Sequence, residues 1–211
     1  MASWRKSALQ ERSKETENAL ARAARELLSD RSFSDIRVDE VARNAGISVG
    51  GFYARFQGKN ALLHLADIDF LDDCATAFDA AISEDFDGSL DDLLLEFLTV
   101  MIRQFDKHRE TIVEAMKYAA EDDNSDFRLR ATEFNSFVHG RLRTIMTRHS
   151  DEICHPDPKF AINMAIFIAS ASARAAVLHG ALSTYPIECS LDDLTRELVA
   201  NASSYLKGGA K

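Results

Sequence analysis

The sequence predicts an all-α fold of about nine helices. Apolar residues recur every three or four positions along most of the chain, the spacing that lines one face of a helix. Proline and glycine are scarce, at 3 and 9 in 211 residues, so long helices can run unbroken. No stretch alternates at period two for long enough to make a strand. The length suits one domain or two small ones. With 46% hydrophobic and 28% charged residues, a sizeable core can be buried.

In chain order, the first predicted helix covers 8–30, where Leu20, Ala23, Ala24, Leu27 and Leu28 make one apolar face. Two short helices follow over 38–45 and 49–55. A long helix over 59–84 carries Ile68, Leu71, Ala75, Phe78 and Ile82. Ser89 caps a helix over 89–107, with Asp91 and Asp92 favourable at its positive end. Helices over 109–121 and 125–149 come next. Asp157-Pro158 reads as an N-cap with proline at the first helical position and opens a helix over 158–183. Ser190, followed by Asp192 and Asp193, opens the last helix over 191–206.

The net charge of −9 speaks against a nucleic-acid partner when taken as a whole. It is unevenly distributed. Residues 1–62 hold 11 Lys or Arg against 8 Asp or Glu, and residues 63–211 hold 14 against 26. A basic head on an acidic body implies two jobs on one chain. The natural division is a head of 1–58 and a body of 59–211.

Cys74, Cys154 and Cys189 are widely spaced and odd in number, which fits neither a disulfide framework nor a zinc site and points to a reducing cytoplasm. No metal or cofactor is expected, and no membrane association. The apolar run from Ala161 to Leu178 contains Asn163 and Arg174 and reads as a buried packing helix. Gly50-Gly51 lacks the lysine of a P-loop, and the carboxylate pairs fall at helix ends or on polar faces, so an enzyme is not expected.

The informative segment lies between Arg37 and Phe56. Val38, Val41, Ala42 and Ala45 give one apolar face over two turns. Gly46 suits the left-handed position that ends a helix, Ile47 follows as an apolar plug, and Ser48 suits the next N-cap. Helix, glycine turn and helix is the helix-turn-helix layout, whose second helix enters the major groove.

From Leu20 to Leu62 the chain resembles the DNA-binding head of the TetR family of bacterial transcriptional regulators. Ala23, Leu27, Leu28, Phe33, Val38, Val41, Ala42, Ala45, Gly46, Ile47 and Ser48 carry the resemblance, with Gly50, Phe52, Tyr53, Phe56, Lys59, Ala61 and Leu62. It implies a homodimer that binds operator DNA, palindromic by symmetry, and answers to a small-molecule effector, with repression the usual mode. Tyr53, Lys59 and Arg37 are then phosphate contacts, and Arg43 and Arg55 are phosphate or base contacts. Ser48, Val49, Gly50 and Gly51 form the leading turn of the recognition helix, nearest the base edges. The arm carrying Arg5, Lys6, Arg12 and Lys14 can add minor-groove contacts. Several positions depart from the family pattern. Val49 stands where Lys is common, Gly51 where Thr is, Gln57 where Pro is, Ser32 where Gly is, and Arg37 where a capping Ser or Thr is.

The resemblance also implies a ligand pocket in the body. Phe70, Cys74, Phe78, Phe97, Met101 and Phe105 are candidates for its lining, with Met116, Phe134, Phe137 and Phe167. Those apolar stripes are equally what core packing would use. Arg174, inside an apolar helix, can pair with an acid, hold an anionic ligand head or face water. Small residues at helical spacing, Ala165, Ala169, Ser172, Ala173 and Ala176, permit close helix approach. With Leu194, Leu198 and Tyr205 they form the expected two-fold dimer face. The alternative reading is a DNA-associated structural or adaptor protein that uses the same head without ligand control.

Overall fold

The computed structural model describes residues 3–56, 58–121, 125–185 and 187–208; the side chains of residues 3–13, 64, 67–69, 115, 118–121 and 125–131 lie outside that description. All regular elements among the described residues are helical. Their order is α1 (Ser3–Leu28), a 3-10 turn (Phe33–Asp35), α2 (Val38–Asn44), α3 (Val49–Tyr53), α4 (Ala61–Ala81), α5 (Leu90–Lys107) and α6 (Arg109–Glu121). There follow α7 (Ser125–Thr147), α8 (Pro158–His179), α9 (Ala181–Thr184) and α10 (Leu191–Lys207).

The expected caps form. Ser89 Oγ accepts from Asp92 N–H at 3.2 Å while the Asp92 carboxylate accepts from Ser89 N–H at 3.0 Å. Ser190 and Asp193 repeat this reciprocal pair at 3.0 and 3.1 Å. Each box satisfies two otherwise orphaned N–H groups and is worth about 1 kcal/mol. Asp157 accepts from Phe160 N–H at 3.0 Å and sets Pro158 in the first turn of α8.

Several boundaries differ from expectation: α1 begins at Ser3 rather than residue 8, and the long helix ends at Ala81 rather than residue 84. The helix expected over 158–183 stops at His179, because Gly180 turns left-handed at φ 60° and α9 starts afresh. The long helix starts at Ala61, so Lys59 and Asn60 lie in the turn ahead of it, where their carbonyls accept from Leu62 and Leu63 N–H.

The chain divides into two compact units. The first comprises Met1–Asp72 and Glu110–Arg128. Its core joins Leu20, Ala24 and Leu28 of α1 to Val41 of α2, Phe52 of α3 and Leu62 and Ala66 of α4. Phe52 is fully buried, and truncating such a side chain costs about 3–5 kcal/mol.

The second unit comprises Asp73–Arg109 and Leu129–Lys211. Its core interleaves Leu90, Leu93, Leu94 and Phe97 of α5 with Leu142 and Ile145 of α7. Ala161, Ile162, Ala165 and Ala169 of α8 and Leu206 of α10 complete it. Lys207 ties α10 to Asp91 at 3.0 Å and to Glu152 at 3.1 Å. α8 is long and apolar enough to cross a membrane by length and composition alone; half of its apolar window is buried within the chain.

Candidate nucleic-acid interface

The α2–α3 turn follows from two residues. Gly46 has φ 71°, a conformation that costs a β-carbon-bearing residue about 1–2 kcal/mol. That turn lets Ile47 N–H reach back to the Ala42 carbonyl at 2.9 Å, the long-reach bond of a Schellman ending. The chain then leaves α2 at a fixed angle, and Ile47 packs against the head core. Ser48 Oγ accepts from Gly51 N–H at 3.0 Å and starts α3 at once.

α3 is one buried residue wide on its inner side. Phe52 faces the core, with Tyr53 edge-on to it and Phe56 tilted against it, each at 5.2 Å between ring centroids. The other side is open. Val49 is 39% exposed, Tyr53 is 54% exposed, and Gly50 has no atom within 4 Å of where a β-carbon would sit. The leading turn is thus low, bare and outward, so a base edge can approach its backbone closely. A β-carbon at Gly51 would lie 3.2 Å from Ser48 Oγ, crowding the capping hydroxyl.

The charged candidates are exposed but tethered. Asp39 accepts from Arg37 Nε at 2.9 Å and lies 3.5 Å from Arg43 Nη2. The Arg37 hydrogen bond holds the Asp39 carboxyl below its usual pKa. Arg55 donates to the Gly51 carbonyl at 3.0 Å. These bonds aim three guanidiniums around α2 and α3 while leaving most of their donors free.

Lys59 has a fuller set of partners. Its ammonium donates to the Phe33 carbonyl and, at 3.1 Å, to the Ser34 carbonyl, and sits 4.4 Å from the centroid of the Phe33 ring. Burial lowers its pKa. Phe33 N–H in turn donates to Glu114 of α6 at 3.4 Å. Lys59 therefore fastens the 3-10 turn that leads into α2 and keeps one N–H for another acceptor. Sequence spacing gave no sign of these carbonyl and Glu114 partners. Of the basic arm, the Arg5, Lys6 and Arg12 side chains lie outside the described residues, as does Gln57.

The pocket candidates fall in different places. Phe70 is buried, and it and Met116 belong to the first unit. In the second unit Phe78 meets Phe97 and Phe137, each at 6.4 Å between ring centroids and steeply inclined. Met101 and Phe134 pack against that core. Cys74 is buried and Phe105 half-buried. Phe167 stands out at 63% exposure, and Arg174 is exposed. His139 has its pKa lowered by burial and then by the charges of Arg143 and Arg174.

The dimer candidates lie along α8 and α10. Ala165, Ala169, Ala173 and Leu194 are buried within the chain, where small residues let the two helices close up. Ala176 is half-buried. Ala165, Ala169, Ser172, Leu198 and Tyr205 line a surface groove of about 580 Å³ between the helices, together with Ile168. Ile168 and Phe167 are exposed beside it.

Residues 20–66 match the family model for bacterial regulatory proteins of the tetR family. Among curated proteins nothing matches. Solved structures of the same fold cover most of the chain. A TetR-family transcriptional regulator from Streptomyces coelicolor is 21% identical, covering 91% of this chain and 80% of its own, with TM-score 0.67. One from Rhodococcus sp. described as a TetR-family transcriptional regulator is 18% identical over 92% and 99%, with TM-score 0.63. The regulator FadR from Bacillus subtilis, in complex with stearoyl-CoA, is 17% identical over 89% and 97%, also with TM-score 0.63.

Proposed function

We propose, for a chain whose residues 20–66 match the family model for bacterial regulatory proteins of the tetR family and whose length is similar in fold to solved TetR-family regulators, a dimeric, ligand-responsive repressor of transcription acting in the cytoplasm. The observation that carries this reading is the Ser48-capped α3 with its bare outer face of Val49, Gly50 and Tyr53. A helix so placed can enter the major groove of operator DNA while Phe52 anchors it from behind.

Each contact has a physical role. Tyr53 offers its hydroxyl to a phosphate, and Lys59 its remaining N–H. Arg37, Arg43 and Arg55 flank the leading turn and supply phosphate or base contacts. Val49 gives apolar contact to a thymine methyl, and Gly50 and Gly51 let the backbone come close. The head's charge excess is small, so tight binding leans on two heads per dimer and a few placed contacts.

The α8–α10 surface supports the two-fold dimer. Its groove and the exposed Phe167, Ile168 and Tyr205 would be covered by the same face of a second copy. Two copies would then present two α3 helices about one DNA turn apart. A ligand that binds better to a different spacing must cost operator affinity by the same coupling energy, typically about 1–3 kcal/mol. The structure of similar fold that holds stearoyl-CoA supports an effector with an apolar part.

The reading is tested by selecting bound duplexes from a random library and measuring affinity against salt. It expects an enriched inverted repeat and affinity falling steeply with salt; absence of enrichment at low salt contradicts it.

A further inference from the structure

The second unit holds 17 Asp or Glu against 12 Lys or Arg, and several of its cations are taken. Arg141 pairs with Asp79 and Glu84, and Arg148 donates to the Glu84 carbonyl. Lys207 bridges Asp91 and Glu152, Arg196 pairs with Asp193, and Lys107 with Asp73. Among the described residues Arg103, Arg109, Arg143, Lys159 and Arg174 carry no such pair, and the last three lie in one region.

All three lie along the seam of α7 and α8. Arg143 and Lys159 both line a groove of about 580 Å³, with Gly140, Thr144, Ile162 and Asn163 also in its walls. Arg143 Nη2 lies 3.9 Å from where a Gly140 β-carbon would sit, so the guanidinium folds over the bare helix. Asn163 and Arg174 are eleven residues apart on α8, about three turns, and so share one face. Arg174 lies near enough to His139 of α7 for its charge to act on that imidazole, as does Arg143.

The donors of this groove are almost all cationic. Thr144 and Thr147 give their hydroxyl protons to the Gly140 and Arg143 carbonyls of their own helix, at 3.0 and 2.7 Å. What remains to meet a ligand is the Arg143 fork, the Lys159 ammonium and the Asn163 amide, beside the apolar Ile162. Unpaired cations in a body so rich in carboxylates leave a place for an anion that the chain does not fill.

We propose that the α7–α8 groove binds a small amphiphilic anion through its oxyanion head, a carboxylate or a phosphate ester. The body's negative charge argues for a small occupant. A long polyanion such as DNA would meet repulsion over many ångströms, whereas a small ion within a Debye length of about 8–10 Å is governed by the nearby cations. Arg143 is the main anchor, since its planar fork suits paired oxygens, and Lys159 adds a point charge. The proposal rests on the regulator reading only in making this anion the effector; binding itself is measured without DNA.

The probe is 8-anilinonaphthalene-1-sulfonate, an amphiphilic anion whose fluorescence reports occupancy. Titrations compare the wild type, the double variant Arg143→Gln/Lys159→Gln, and Arg196→Gln as an exposed cation elsewhere, all checked for fold by circular dichroism. The proposal expects saturable binding that weakens about tenfold or more in the double variant and stays unchanged in Arg196→Gln. Decanoate and decyl phosphate should displace the probe, the better of them naming the head group, while decanol should not. Absence of saturable binding, equal binding by the double variant, or equal displacement by decanol overturns it. Anion binding that leaves operator affinity unaltered would retain the site and refute its role as the effector site.

Discussion

Lys59 can be removed with little loss of volume by Lys59→Met, which keeps an apolar stem against the Phe33 ring. The variant loses two charge-assisted bonds to the Phe33 and Ser34 carbonyls. Such bonds are worth about 1.5–3 kcal/mol each, and a partly exposed ammonium recovers much of that from water. Roughly 2 kcal/mol should remain as net loss. For a chain of this size that lowers Tm by about 4–8 °C, if the two units unfold together. Calorimetry reads this directly, with Tyr53→Phe as the control, since the exposed Tyr53 hydroxyl should leave Tm within about 1 °C. The same two variants are then titrated with operator at several salt concentrations. A phosphate contact through the remaining Lys59 N–H would lower the salt slope by about 0.9 per head. An unchanged Tm in Lys59→Met would refute the clamp on the 3-10 turn. An unchanged slope would refute the phosphate contact, and the two results are independent.

Gly46→Ala has open space for its methyl but the wrong backbone, so it should cost about 1–2 kcal/mol and weaken operator binding; unchanged Tm and affinity would contradict the strained-turn argument. Phe167→Asp, at an exposed site, should keep helicity and shift sedimentation from dimer to monomer at micromolar concentration; a persistent dimer would place the interface elsewhere. The pH dependence has a definite sign. Ser203 and Lys207 hold Asp91 below its usual pKa, and Ser89 does the same for Asp92. These carboxylates stabilise the fold above the usual Asp value of 3.8 and lose that contribution as pH falls through their lowered values. His139, held below 6.5 by burial and two arginines, makes folding resist protonation, so stability also declines as pH drops below 6.5. Tm should therefore fall in two stages on acidification, and His139→Gln should remove the first; a Tm rising between pH 7 and 5 would contradict this.

The fold was legible where local chemistry decides it. Ser89, Asp157 and Ser190 announce helix starts because a short oxygen-bearing side chain satisfies N–H groups two or three residues on. Gly46 announces the turn because glycine alone sits comfortably left-handed there. Gly180 acts by the same physics but stands between Ala- and Leu-rich stretches, so periodicity carried the expected helix past it. The site was less legible because its partners are remote in sequence. Lys59 reaches carbonyls 25 and 26 residues away, and Phe33 meets Glu114 across 81 residues. Spacing shows that Phe137 and Phe167 belong to apolar faces. It does not show that both stand exposed on the isolated chain, since a face awaiting a second copy or a ligand has the same period as a buried one.

The central claim is that the outer face of α3 reads DNA, and Val49 tests it most directly. Val49 is exposed and contributes nothing to the head core, so Val49→Lys should fold as the wild type does. Duplex selection from a random library is run with both proteins. The account predicts that both enrich an inverted repeat and that base preference changes at one symmetric pair of positions, one in each half-site. An identical consensus from the two proteins would contradict it.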